Sequence, residues 1–294
     1  PIGAAADGGG STRIPAAFNH LFGYKPTFES IPNFYKPFDP IGLAIMGSVT
    51  HTVRDAAVYL DGLCGRPGRH ALPGSFAAAC DRPPPKGLKV GLCLSSPLLE
   101  VQPDIAERVK SVAELLEQMG HHVYLHDTAP EGGLDRFLPV YGRVMAATPV
   151  LTPWLLQPAT RWVRKIGRSV TIEQARAENA ALGEIVRNWW GDADVVLTPT
   201  VGVDPPRAGE FKALDPPDLF KRMGTIGAFT APFNISGQPS ASIPAGFSNA
   251  GLPVGALLTT RHGQDATLFQ LCTELEKALN WRRRRCSMAS SCSP

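Results

Sequence analysis

Residues 88–125 constrain the fold of this chain more than any other stretch. Leu88-Lys89-Val90-Gly91-Leu92 reads as a strand. Pro103 then opens a run that sets Ile105, Val109, Val112, Leu116 and Met119 on one helical face, Gly120 ends it, and His122–Leu125 reads as a second strand. Strand, helix and strand in that order make a βαβ unit, which places the two strands parallel in one sheet. The same hand-over recurs downstream. Thr171 and Gln174 form a capping-box pattern before a helix running to about Trp190, Gly191 stops it, and Asp194-Val195-Val196-Leu197-Thr198 reads as a strand.

Elsewhere the pattern is mixed. Thr50 is expected to cap a helix carrying Val53, Ala56, Ala57 and Leu60 at i, i+3, i+4 and i+7, with Gly65 and Pro67 as stop signals. Residues 66–87 hold five prolines, three of them consecutive (Pro83, Pro84, Pro85), and read as a linker or surface loop. Ser240–Pro244 and Pro253–Thr260 flank the turn-forming Asn249-Ala250-Gly251, and a last helix carries Leu268, Leu271, Leu275 and Leu279. The fold class is α/β, with no internal repeat.

Composition excludes several function classes. A length of 294 residues suits one large or two ordinary domains, and 29 glycines with 28 prolines stay below the share that marks a disordered chain. The formal charge of +3 is carried by Arg282–Arg285, so the body of the chain has no nucleic-acid footprint. Residues 282–294 are expected to be a basic, Ser-rich solvated tail. Six cysteines (Cys64, Cys80, Cys93, Cys272, Cys286, Cys292) lack metal-ligand spacing. The expectation is reduced thiols, no metal, no cofactor and a cytoplasmic location. Apolar runs such as Ile41–Val49 are too short to span a bilayer, so no membrane segment is expected. Pro1-Ile2-Gly3-Ala4 lacks a basic signal-peptide start and reads as the interior of a longer chain.

One segment looks chemical rather than architectural: Asp7-Gly8-Gly9-Gly10-Ser11-Thr12-Arg13-Ile14-Pro15-Ala16. Consecutive glycines let successive N–H groups converge on a small anion, and a serine hydroxyl follows at once. Taken alone, Gly-Gly-Gly-Ser is also a flexible linker. Its surroundings change the weighting. With Phe18, Leu21-Phe22-Gly23 and Lys25-Pro26-Thr27 the segment resembles the amidase signature family. Gly47-Ser48-Val49-Thr50-His51-Thr52-Val53-Arg54-Asp55-Ala56-Ala57 and Leu197-Thr198-Pro199-Thr200 resemble further motifs of that family. So do Phe229-Thr230-Ala231-Pro232-Phe233-Asn234-Ile235-Ser236-Gly237-Gln238-Pro239, Ser242-Ile243-Pro244-Ala245-Gly246 and Gly251-Leu252-Pro253-Val254-Gly255. The resemblance covers residues 1–281.

That resemblance implies a mixed β-sheet covered by helices in α/β/α layers, and hydrolysis of a carboxamide through a serine acyl-enzyme. Carried over residue by residue, it implies Ser11 as the nucleophile, Gly8, Gly9 and Gly10 with the Ser11 amide as the oxyanion hole, and Asp7 with Arg13 as a pair holding that loop. The partner it implies is a small-molecule amide, and it leaves room for a homodimer. In the family a base lysine and a Gly-Ser-Ser-Gly-Gly segment with a proton-relaying serine lie N-terminal to the nucleophile. This chain starts ten residues before Ser11 and holds no Gly-Ser-Ser-Gly, so by itself it is expected to be inactive and poorly stable. Lys25, in the matched Lys-Pro-Thr motif, takes a structural role in that resemblance. Thr12 stands where the family prefers an aliphatic residue, and His51 where it has arginine.

Other readings are weaker. A Ser-His-Asp hydrolase using His20, His51 or His126 lacks a Gly-x-Ser-x-Gly elbow. A non-catalytic, amidotransferase-subunit-like binding partner is the alternative within the same family. Phe137, Tyr141, Trp154, Leu155 and Trp162 lie where the family varies with substrate, and core packing is the expected role for each.

Overall fold

The computed structural model describes residues 1–32, 34, 37–64, 74–130 and 133–281. Gly65, Pro67 and the whole of the tail 282–294 lie outside the described residues. In chain order the elements are β1 (Ile2–Asp7), α1 (Arg13–Phe18), β2 (Phe22–Lys25), β3 (Ile45–Thr50), α2 (Val53–Leu63), α3 (Phe76–Ala79), β4 (Lys89–Leu92), α4 (Pro103–Gln118) and β5 (His122–Leu125). There follow α5 (Leu134–Ala147), α6 (Pro158–Gly167), α7 (Ile172–Trp189), β6 (Val195–Pro199), α8 (Pro216–Ile226), α9 (Pro232–Ile235), β7 (Ser240–Phe247), β8 (Pro253–Thr260) and α10 (Asp265–Leu279).

All eight strands join one sheet in the order β1-β3-β2-β7-β8-β6-β4-β5. The βαβ unit is present: β4 and β5 pair in parallel, with Val90 opposite Val123, and β6 lies parallel on the other side of β4. The remaining pairings are antiparallel. Pro244 sits in the central strand β7, where a missing N–H would break the ladder. The register slips there to Gly246, a bulge of the kind that lets a central strand hold a proline.

Strand alternation builds two cores. Val195 and Leu197 of β6 and Ala256 and Leu258 of β8 face the cluster formed with α2, α4 and α10. Val196 and Leu257 point to the opposite face, where they meet Val186, Trp190, Phe229 and Phe233. Because side chains alternate with a period of two, strands apolar at every position must be covered on both faces, which is the α/β/α layering. The amphipathic helices supply the covers: Ile105, Val109, Val112 and Leu116 of α4 are all buried on one stripe.

Three local readings change. Thr52, not Thr50, caps α2, its hydroxyl accepting the Asp55 N–H at 3.0 Å. Thr50 is still in β3, paired with Ile2 and Phe22, so its backbone is committed to the sheet. The proline-rich stretch is not all loop, since Ser75 caps the short helix α3. Trp154 and Leu155 are not core residues; they are 68% and 76% exposed on the connection between α5 and α6. The capping box of Thr171 and Gln174 is complete. Glycine permits one close approach: a Cβ on Gly167 would fall on the Gly142 carbonyl, so α5 and α6 cross backbone to backbone.

Candidate active site

The site grows from the carboxyl end of β1. Asp7 is the last residue of that strand, paired in register with Ile45 of β3. Its carboxylate is wholly buried, and Arg13, the first residue of α1, is buried with it. Arg13 grips both oxygens, Nη2 to Oδ1 and Nε to Oδ2, each at 2.9 Å. The same carboxylate accepts the Gly10 N–H at 2.7 Å, the Thr12 N–H at 3.3 Å and the Asn234 amide at 3.0 Å. Burial opposes the charge on Asp7, but the Arg13 guanidinium and its hydrogen bonds outweigh it and hold the carboxyl well below the ordinary carboxylate range.

Arg13 reaches further than its partner in β1. It donates to the Thr230 carbonyl at 3.0 Å, to the Ser240 hydroxyl at 2.8 Å and to Asn234 Oδ1 at 2.5 Å. Thr230, Asn234 and Ser240 come from residues more than 200 positions away, so this brace ties the glycine loop to β7 and to α9. Thr230 Oγ1 donates to the Gly9 carbonyl at 2.8 Å. The Gly9–Gly10 peptide is therefore held on both sides, its carbonyl by Thr230 and its N–H by Asp7. Gly10 has φ +128°, and a Cβ there would run into the Thr230 side chain, so only glycine fits.

The Gly10 N–H is donated to Asp7, and Gly10 does not line the cavity. Asp7 takes alternate amides, those of Gly10 and Thr12. The amides of Gly9 and Ser11 have no hydrogen-bond partner among the described residues. Ser11 is exposed, and with Gly8 and Gly9 it lines a cavity of about 600 Å³. Phe137 and Tyr141 of α5 stand in that cavity wall rather than in a core. Trp162 lies beside Phe220, ring centroids 6.1 Å apart.

The histidines and Lys25 sit elsewhere. His20 stacks on Phe247 at 4.6 Å and His126 packs against Trp189 at 4.4 Å. Neither they nor His51 line the cavity. Lys25 is buried in β2, and its ammonium donates to the Pro26 carbonyl at 2.9 Å. Burial and the neighbouring Arg13 both lower its pKa, Asp7 and Asp265 only partly offset them, and it falls to about 7. Lys25 is not part of the cavity wall either. Among the described residues, Cys64, Cys80, Cys93 and Cys272 are free thiols, and no group of His, Cys, Asp and Glu is placed to hold a metal ion.

Sequence reasoning assigned no role to Thr230, Asn234, Ser240 or Asp39. The first two lie inside a matched motif, and the contact that gives each its role is a tertiary one. The buried Asp39 carboxylate accepts four successive N–H groups, from Ile41, Gly42, Leu43 and Ala44, at 2.6–3.1 Å. That fixes the loop before β3, whose Leu43 carbonyl accepts from Asn234 and whose Ala44 lines the cavity.

Residues 1–269 match the sequence profile of the amidase family, and the chain belongs to that family. AmiC of Mycobacterium tuberculosis, which carries the amidase name, is 32% identical over 298 residues, 96% of this chain and 62% of that protein. The 6-aminohexanoate-cyclic-dimer hydrolase of Paenarthrobacter ureafaciens is 30% identical, across 97% of this chain and 64% of its own length. A solved structure of 6-aminohexanoate cyclic dimer hydrolase superposes with a TM-score of 0.82 at 29% identity, covering 96% of this chain and 65% of that one. A bacterial aryl acylamidase shares the fold, with a TM-score of 0.77 at 24% identity. The chain thus spans a little under two thirds of the length of these relatives. Among the described residues no helix is long and apolar enough to cross a membrane.

Proposed function

We propose that the protein containing this chain hydrolyses a carboxamide, with Ser11 as nucleophile and an acyl-enzyme as intermediate. One observation carries the reading: an exposed serine hydroxyl stands on a cavity wall directly after a glycine loop whose alternate amides, Gly9 and Ser11, are left without partners by a buried Asp7–Arg13 brace. The Ser11 Oγ attacks the amide carbon, and a C–O bond forms as the carbonyl oxygen gains negative charge. N–H donors fixed around that oxygen before the reaction are worth about 2.7–4 kcal/mol each. The C–N bond then breaks, the amine leaves with a proton, and water returns the acyl group as a carboxylate and frees the hydroxyl.

A serine hydroxyl is a weak nucleophile until a base takes its proton, and such help is worth about 10²–10⁴-fold. The Ser11 hydroxyl makes no hydrogen bond to another described residue. The family resemblance assigns the proton to a serine relay and a neutral lysine, both N-terminal to the nucleophile. Arg13 does not compete for that role, because guanidinium stays protonated at any working pH.

Replacement of Ser11 by alanine tests the reading. Turnover of a simple arylamide is expected to fall by several orders of magnitude, and the acyl-enzyme adduct seen by mass spectrometry with a slow ester should vanish. Unchanged turnover in that variant overturns the assignment.

A further inference from the structure

The wall of the cavity beside Ser11 has a chemical character of its own. Leu134, Phe137 and Val144 of α5, Val163 of α6, and Leu219 and Phe220 of α8 supply much of it, and no described residue that lines the cavity carries a charge. This is not for lack of charged residues on those helices. Arg136 of α5 is paired with Glu178 of α7, and Arg222 of α8 with Glu210. Arg164 of α6 is buried, and it donates to the carbonyls of Met145 and Thr148. Each of these cations is committed to a partner, and none stands in the wall.

The polar groups that remain in the wall are few and neutral: Ser11 itself, Ser96, Tyr141 and Thr160. Aromatic rings cluster around one of them. Phe137 and Tyr141 lie 5.8 Å apart, and Tyr141 and Phe220 lie 6.3 Å apart. Burial raises the Tyr141 pKa, so the phenol is neutral across the working range.

We infer that the cavity receives the acyl part of the substrate and selects an uncharged, apolar one, excluding acyl groups that end in a carboxylate or an ammonium. An ionised group entering such a wall loses its water and finds no counter-charge among the described lining residues, whereas each methylene placed there gains hydrophobic burial. A cavity of about 600 Å³ is large enough for a medium alkyl chain or a phenylalkyl group beside the scissile amide. The inference rests on the amide-hydrolase reading for the choice of ligand, but it is tested by binding, without turnover.

The experiment measures affinity by titration calorimetry for the protein containing this chain with Ser11→Ala, using anilides from butanoyl to octanoyl. The heptanoyl compound is compared with analogues of the same length that end in a carboxylate or an ammonium. The expected result is a gain of about fourfold per methylene until the cavity is filled. The charged analogues should bind about 100-fold more weakly or worse. Charged and neutral analogues binding within tenfold of one another would overturn the inference while leaving Ser11 as nucleophile. A Ser11→Ala protein that still hydrolyses the anilides would overturn the nucleophile assignment, and the ratio of neutral to charged affinity would still stand as the measure of the cavity.

Discussion

The floor and the wall of this cavity are built on opposite principles. Beneath the glycine loop, Asp7, Arg13, Asn234 and Thr230 are buried and polar, and the hydrogen bonds among them join residues more than 200 positions apart. Above it, α5, α6 and α8 offer apolar side chains to the cavity. A hydrogen-bonded charge network has one low-energy geometry, because every unpaired member costs its full desolvation. An apolar wall has many near-equivalent packings. The floor is therefore suited to fixing the loop amides in one geometry for any substrate, and the wall to deciding which substrate enters.

The largest expected effect breaks the floor. Arg13→Ala leaves the buried Asp7 carboxylate without its guanidinium, and loss of one partner from a buried pair costs about 3–5 kcal/mol of stability. Turnover should fall for every amide tried, with the pH profile unchanged, since Arg13 moves no proton. Denaturant unfolding and a kcat–pH series check this, and a shifted acid limb would contradict the bracing role.

Thr230→Val is subtler. The Gly9 carbonyl loses its donor while the shape of the side chain is kept, so about 1–3 kcal/mol should go. On the proposed mechanism, in which the loop amides serve the transition state, the loss should lie in kcat rather than KM. A rise in KM alone would show that Thr230 belongs to substrate binding.

Gly167→Ala addresses the wall without touching its lining. A Cβ there falls on the Gly142 carbonyl and forces α5 and α6 apart, at a cost of about 1–3 kcal/mol. Relative rates on long and short acyl chains should change, with kcat on the shortest amide preserved. Equal losses on all chain lengths would erase the distinction between floor and wall.

Lys25 gives the floor a pH signature. The native side chain loses its proton near pH 7, while the unfolded chain keeps it to the ordinary lysine value of 10.5. Between those limits the unfolded state binds more protons, so the Lys25 contribution makes stability rise with pH, on the order of 1 kcal/mol per unit. Below pH 7 both states are protonated and that dependence ends. Lys25→Met should flatten the rise in unfolding free energy between pH 7 and 9, and a slope unchanged by the substitution would place the charge elsewhere.

Much of the sheet was legible in the sequence, because strands such as Val195–Pro199 and Pro253–Thr260 are short, largely apolar runs, and the amphipathic helix Pro103–Gln118 writes its burial into a local period. The Asp7–Ala16 segment was legible for a different reason: three glycines free successive N–H groups to converge on an anion, and the motifs around them resemble the amidase pattern. The wall was not legible. Its lining residues run from Ala6 to Ile235 and no local pattern links them, and α5, with Pro139 in its interior, reads poorly as a helix.

The amino-acid order by itself determined where strands β4 to β8 and helices α2, α4, α7 and α10 could form and which loop could cradle an oxyanion, since these depend on apolar patterns and φ preferences a few residues long. Only the tertiary structure decided that Gly10 serves the brace and Gly9 the cavity, that Arg13 is answered by Thr230, Asn234 and Ser240, and that the cations of α5, α6 and α8 keep out of the wall. The physical reason is that a hydrogen bond or a desolvated charge is settled by which groups meet across the whole chain, and that meeting is made by the packing of the sheet against its two layers of helices.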